Sequence, residues 1–443
     1  MSKRHQLKFW ITMVAIFCWI LPVHAHFTEL CVKDTVPVET DTLRKRSGFI
    51  LQLHSDNFVI GNALNVNFYQ TFLQGGTWDA SENQKVLDEL SFSNRSFFQS
   101  QTGFSFTESN SSKNGKRPMN FRFHLGEAQY GHAKFSGDLY RLVTRGNAAY
   151  LGDTLRMGQN DIERQHYRYF GVGIASKDAL DYCMLSYVDG LDFYRMRWNQ
   201  GSFYTSSVGD SIAVNAQLKQ WASSGNRKGV GFKWDVRKSW AGRKYLLTVD
   251  LLDVGWVKWN DLEQKKWNIQ ENFTGVQWVD WIQLDDPIGQ NVDRWSTAEE
   301  RSVSKWISLP TSIRVQAAWQ VVRKWSVDYA FQRWVHQDQQ GYRCLSVQRN
   351  WERFSLTRPD LQWRISAYQS FTRQYWCGSD ITWQWLNGCS VQLQTYQILG
   401  PMRKASKQLG FALSFQYVFK GNANDPLEVP QENKKDEQQY FQF

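Results

Sequence analysis

The charged residues with the most regular spacing alternate with aromatic and branched ones. Lys233, Asp235 and Arg237 interleave with Phe232, Trp234 and Val236, Arg314 lies between Ile313 and Val315, and Arg364 between Trp363 and Ile365. Successive side chains of an extended segment point to opposite faces. Arg195, Arg197, Lys233, Arg237, Arg314 and Arg364 would therefore share one enclosed polar face, net positive and facing Asp235. Such a set could attract a solute into a lumen. It could also do no more than pair, hydrate and brace a closed interior.

Enzyme chemistry finds little to use. There is no Gly-x-Ser-x-Gly elbow, phosphate loop or His-Glu-x-x-His helix in the chain. His54 and Ser55 are adjacent, so on a strand they face opposite ways and cannot act as base and nucleophile. His124 and His132 lie too far apart in sequence for a short-range metal pair, and Asp285-Asp286 reads as part of a solvated loop beside Pro287. No catalytic residue, metal site or cofactor is assigned.

The elements that must position the charges are strands. Phe411, Leu413, Phe415, Tyr417 and Phe419 alternate with Ala412, Ser414 and Gln416. Ile313, Val315, Ala317, Trp319 and Val321 alternate with Arg314, Gln316 and Gln320, and Leu361, Trp363 and Ile365 with Gln362, Arg364 and Ser366. Polar faces rich in Arg, Lys and Gln opposite aromatic faces suit a lumen on one side and lipid on the other.

Turn residues then set an orientation. Ala241-Gly242-Arg243, Val322-Arg323-Lys324, Arg358-Pro359-Asp360 and Asn387-Gly388 read as short connections. Counted back from a last strand at 409–419, all fall on one side, the periplasmic side of an outer-membrane barrel. The long segments 129–164, with a short helix over Gly137 to Arg145, and 260–305, with Trp267, Trp278 and Trp281, fall on the other. Residues 201–220 read as a hairpin carrying a strand beyond the membrane. The reading is an all-β transmembrane antiparallel barrel of about 14 strands, within a range of 12 to 16, and both termini periplasmic.

Lys3, Arg4 and Lys8 precede an apolar run from Phe9 to Leu21 and the small-residue site Val23-His24-Ala25, so residues 1–25 read as a cleaved export signal. Residues 26–56 follow as a periplasmic segment, 57–419 as the barrel and 420–443 as a hydrophilic periplasmic tail. Cys31, Cys183, Cys344, Cys377 and Cys389 remain after cleavage, an irregular set that frames no disulfide scaffold. Cys377 and Cys389 are placed at opposite ends of one strand, too far apart to bond. The chain carries 22 Trp among 443 residues and 15% aromatics. Composition alone gives that load two homes, the aromatic girdles of a membrane barrel or the sugar-binding face of a soluble β-sandwich. The net charge of +10 is as well explained by lumen arginines or anionic headgroups as by nucleic acid, and no nucleic-acid partner is assigned.

Three blocks carry a family resemblance. Leu252-Asp253-Val254-Gly255-Trp256-Val257-Lys258-Trp259 resembles the signature of a family of Bacteroidetes outer-membrane barrels of unassigned function, most pointedly at Leu252, Asp253, Gly255 and Trp259. Leu139-Tyr140-Arg141-Leu142 with Arg145-Gly146-Asn147 is similar to its short helix, and His166-Tyr167-Arg168-Tyr169 to the strand after it. The likeness covers roughly residues 50 to 420. It implies a barrel of the general design of long-chain fatty-acid channels and of barrel partners of the type IX secretion system, and it implies no activity. The family's Asn-Pro-Ala near the mature N-terminus is absent, which leaves the start of the first strand unplaced. Gln408, Gly410, Leu413 and Phe415 resemble the signal read on a final strand by the barrel assembly machinery.

The sequence thus supports an outer-membrane barrel that admits a small or amphiphilic solute. It leaves open a docking barrel for a surface or periplasmic secretion partner, and a secreted carbohydrate-binding sandwich.

Overall fold

The computed structural model describes residues 48–64, 80–109, 119–176, 181–223, 229–242, 244–274, 299–322, 324–335, 341–351, 360–370, 375–385, 389–395 and 408–420. The export signal, the hydrophilic tail and the loop bearing Trp278, Trp281 and Asp285 lie outside them, as do Asn387-Gly388, Arg358-Pro359, Arg243 and Arg323.

The described chain is almost entirely strand: β1 (Gly48–Gly61), β2 (Ser93–Ser109), β3 (Met119–Ser136), β4 (Thr154–Arg156), β5 (Asn160–Ser176), β6 (Tyr182–Thr205), β7 (Ser211–Ala222), β8 (Gly229–Ala241), β9 (Tyr245–Thr274), β10 (Glu299–Ser308), β11 (Ser312–Val322), β12 (Trp325–Trp334), β13 (Gly341–Trp351), β14 (Asp360–Ser370), β15 (Tyr375–Gln384), β16 (Cys389–Thr395) and β17 (Gln408–Lys420). Two short helices, α1 (Ala80–Glu89) and α2 (Gly137–Arg145), lie between strands. No described helix is long and apolar enough to cross a membrane.

All strands belong to one antiparallel sheet, and β1 pairs with both β2 and β17, so the sheet closes on itself. β7 and β8 pair with the upper and lower parts of β6 and β9, and β10 and β11 pair successively along β9. Each of these pairs is one interrupted crossing, and β4 only flanks β6. The result is a closed 14-strand barrel. Closure removes the two-sheet sandwich from consideration.

Lateral register shows what surrounds the wall. Leu125, Phe170, Tyr187, Phe232 and Trp256 are consecutive partners across five strands. They point outward, with Tyr187 53% and Phe170 50% exposed. Rows toward the turns continue this apolar belt through Val172, Leu185 and Trp234, then Ile174, Val236 and Leu251. A belt of exposed hydrophobic side chains of this extent is the surface that lipid covers on an outer-membrane barrel. Trp240, Tyr245, Trp319 and Trp325 rim the belt at the turn end, and Trp256 and Trp306 rim it toward the loops. One row further toward the loops the partners are Glu127, Arg168, Asp189, Val230, Lys258 and Trp306, which marks the belt's upper edge.

Several boundaries differ from the sequence reading. The first strand starts at Gly48, so the barrel spans 48 to 420 instead of 57 to 419. β3, β5, β9 and β10 run well into the segments assigned to long loops. Above the belt the apolar side chains no longer keep to the outer face, so the lipid-facing pattern that marks a strand in sequence ends there. The hairpin beyond the membrane is present as β6 and β7, and α2 has the anticipated ends. Cys377 and Cys389 are both free but lie on neighbouring strands, β15 and β16, and not at two ends of one.

Candidate functional site

The inward face is layered. Nearest the turns it is polar: Gln52, Ser105, Arg122, Arg237, Asp250, Arg314, Asp328, Gln348, Arg364, Asp380 and Gln392 are all buried. Nearer the loops it is aromatic: Phe58, Phe97, Tyr130, Tyr167, Tyr169, Phe193, Trp259, Trp334, Tyr342, Tyr368 and Trp376 form one contiguous buried cluster with Leu262 and Leu309. Phe97 packs on Trp334 with ring centroids 4.7 Å apart, Tyr130 stacks on Tyr167, and Tyr368 stacks on Trp376 at 5.3 Å. These side chains come from around the whole circumference, so the layer fills the lumen. Part of the aromatic content that the sequence assigned to lipid girdles or sugar binding is therefore inside.

Five of the seven anticipated lumen charges lie in the polar layer. Lys233 donates to Asp253 at 2.7 Å and lies 3.0 Å from Asp235, with its ammonium 4.0 Å from the Tyr169 ring centroid. Arg237 donates to both oxygens of Asp250, at 2.6 and 3.1 Å, and Arg314 reaches the same carboxylate at 3.4 Å. Arg364 is held by Gln348 at 2.6 and 3.1 Å between Asp328 and Asp380. Among the described residues the buried set comprises the cations Arg122, Lys233, Arg237, Arg314 and Arg364 against Asp56, Asp235, Asp250, Asp253, Asp328 and Asp380. The expected net-positive membrane lumen is therefore corrected to a balanced one. A charge without a partner inside this wall would meet a desolvation cost that paired charges offset.

Asp253, read in the sequence only as part of a family signature, is the hub of this layer. Its carboxylate also accepts from the Tyr130 hydroxyl at 3.0 Å, its backbone N–H donates to Asp235 at 2.7 Å, and its carbonyl accepts from the Thr311 hydroxyl at 3.0 Å. It sits at φ 55°, where β9 shifts register against β8. That bulge changes which parity faces inward, from Thr248 and Asp250 below to Gly255, Val257 and Trp259 above. Gly255 makes the crossing close: a Cβ there would lie 2.0 Å from the Phe232 carbonyl oxygen. β10 and β11 break at 309–311 opposite it, with Leu309 N–H donating to Gly255 O at 2.9 Å.

His124, His54, Asp56, Lys233, Asp235 and Asp253 line a cavity of about 90 Å³ beneath the aromatic layer, room for a few waters. His124 Nε2 lies 3.2 Å from Ser186 Oγ and 3.9 Å from Asp235. Serine and carboxylate thus meet the same ring nitrogen. A hydrolase needs them on opposite nitrogens, so this trio has no activated nucleophile.

Arg195 and Arg197 lie on the other side of the aromatic layer. They line a cavity of about 480 Å³ at the loop end with Arg95, His132, Lys134, Asp161, Glu163, Trp198, Leu309 and Pro310. Asp161 is clamped there. Arg195 donates to its two oxygens at 3.0 and 2.7 Å, Arg197 adds bonds of 3.1 and 2.7 Å, and Arg195 also reaches Glu163 at 2.7 Å. Asp161 and Glu163 were absent from the sequence reading. Asp161 and Glu163 alternate with Ile162 and Arg164 on β5, the same period as the basic residues, and this could have found them.

The helices α1 and α2 pack on each other through Val86, Leu87 and Tyr140. Ser136 caps α2 by accepting from Leu139 N–H at 3.1 Å. Gln408, Gly410, Leu413 and Phe415 lie on the closing strand β17.

No protein-family model and no curated protein matches the sequence. Solved structures that resemble it are the Pseudomonas putida toluene transporter TodX (9% identity, TM-score 0.34, covering 85% of this chain and 90% of that one) and a Pseudomonas aeruginosa FadL homologue (9%, 0.35, 85% and 90%). The translocator domain of the autotransporter NalP from Neisseria meningitidis is also similar (8%, 0.28, 84% and 88%). These proteins are alike in being outer-membrane barrels.

Proposed function

We propose that this protein is an outer-membrane channel, sealed in the described state, that takes a small solute from its loop end. The long loops face the cell exterior and both termini face the periplasm, in keeping with short turns at one end and long ribbons at the other. The observation that carries the reading is the cavity of about 480 Å³ that ends on a filled aromatic layer, with a smaller polar cavity beneath. Its size lies within the range of small-molecule sites. Paired charges below the layer keep the wall rigid, so passage needs the aromatic side chains to move.

Purified protein in planar bilayers should show a low resting conductance, and Tyr167→Ala should add a steady open state. A wide ohmic pore in the unaltered protein would contradict the seal. Absence of conductance and of solute uptake in both proteins would overturn the channel reading.

A docking role has one observation in its favour. β6 has 24 residues and β9 has 30, against the roughly 9–11 that cross a bilayer. The surplus forms a hydrogen-bonded ribbon with β7 beyond the membrane, a firm platform for a partner. Crosslinking in intact cells followed by copurification tests it, with loss of the partner on shortening the β6–β7 hairpin as the supporting result.

A further inference from the structure

We infer that the loop-end cavity selects small organic oxyanions carrying two or more negative charges, held by Lys134, Arg197 and Lys305. This inference rests on the channel reading above and names the solute class of the same site.

The argument starts from charge on the inner wall at that level. Asp161 and Glu163 supply the carboxylates among the cavity-lining residues, and Arg195 and Arg197 already engage them. Lys134 and Arg95 line the same space and add positive charge. Lys219 is the register partner of Arg197 and so shares its inward face. Lys305 lies over the Trp221 ring at 4.6 Å, and Trp221 is in turn the register partner of Arg195. The Lys305 side chain is exposed and lies within electrostatic reach of Arg195, Arg197 and Lys219. Cations gathered in this way gain when an anion enters between them.

The clamp on Asp161 shows the chemistry in miniature. Two guanidinium forks grip one carboxylate through four hydrogen bonds, the geometry by which Arg recognises carboxylates and phosphates. The side chain of Arg197 remains 43% exposed while doing so, which leaves donors for an incoming oxyanion. The membrane-level lumen is balanced, so the positive excess is confined to the mouth, where it attracts and orients a solute before the aromatic layer. An excess of several charges favours a multiply charged solute over a singly charged one.

The test uses four probes of similar size on the full-length protein at low salt: citrate, glucose 6-phosphate, glucose and spermidine. Binding is read by calorimetry, and uptake in liposomes with Tyr167→Ala. Citrate and glucose 6-phosphate should bind at least tenfold tighter than glucose, with spermidine weakest. Lys134→Glu/Lys305→Glu should lose at least tenfold for both anions while its heat-modifiable band shift shows an intact barrel.

Equal handling of glucose and the anions, or anion binding unchanged in the double variant, would overturn the anion assignment and leave the channel reading standing. No binding and no uptake of any probe would overturn the channel reading itself.

Discussion

Lys233 donates to Asp253 at 2.7 Å although strict alternation along β9 would send Asp253 to the lipid. The left-handed backbone at 253 turns it inward, where its carboxylate meets Lys233 and Tyr130 while its carbonyl accepts from the Thr311 hydroxyl. Asp253→Asn tolerates that backbone but removes the charge, and should lower unfolding stability by about 3 kcal/mol, as expected when a buried ion loses a partner. Lys233→Met should cost more, because it leaves Asp235 and Asp253 together without a cation. Urea unfolding in lipid vesicles measures both, and an Asp253→Asn protein as stable as the unaltered one would show that Asp253 is not the partner that matters.

The same crossing predicts an outcome for Gly255→Ala. The new methyl would lie 2.0 Å from a backbone oxygen and 2.7 Å from the Lys233 Cα, and neither can move without opening the β8–β9 ladder. A loss of about 3 kcal/mol or more is expected from such overpacking, visible as a large fall in folded, heat-modifiable barrel. Replacement of exposed Val230 on the facing strand β8 by Ala should leave the band unchanged.

Strand faces were legible wherever lipid enforces them. Phe232 against Lys233, and Ile313 against Arg314, fall as their alternation requires. The bulge was not legible, because one inserted residue leaves every residue type in place and changes only parity, which hid Asp253 behind a motif. The aromatic layer was missed for a different reason. Along β5, Phe170, Val172 and Ile174 face lipid, whereas at the belt's edge His166 and Arg168 face outward and Tyr167 and Tyr169 face inward. The periodicity is continuous, but the apolar face changes sides where lipid ends. A rule that places the apolar face outside therefore inverts there.

Trp334 tests the seal and the core together. It contacts Phe58, Phe97 and Tyr342 and is 2% exposed. Trp334→Ala should cost about 3–5 kcal/mol, the usual range for deleting a buried aromatic, and should raise single-channel conductance. Trp334→Phe should recover most of the stability and keep the channel closed. A Trp334→Ala protein that is destabilised yet still silent would mean that the remaining rings close the lumen without it.

On the closing strand, Leu413 and Phe415 pair with Leu393 and Val391 on one side and with Ser55 and Leu53 on the other. Their apolar side chains contribute to the wall whether or not they are also read during assembly, so loss of stability alone cannot separate the two roles. Insertion rate can. If Gln408, Gly410, Leu413 and Phe415 act as a recognition signal, Phe415→Ala should slow insertion by the assembly machinery about tenfold while unassisted folding into detergent micelles slows by less than twofold, the first factor corresponding to about 1.4 kcal/mol in the assisted barrier. Pulse-labelled insertion in cells and refolding followed by band shift give the two rates. Equal slowing in both would assign these residues to the seam with β1 and β16 and remove the recognition role.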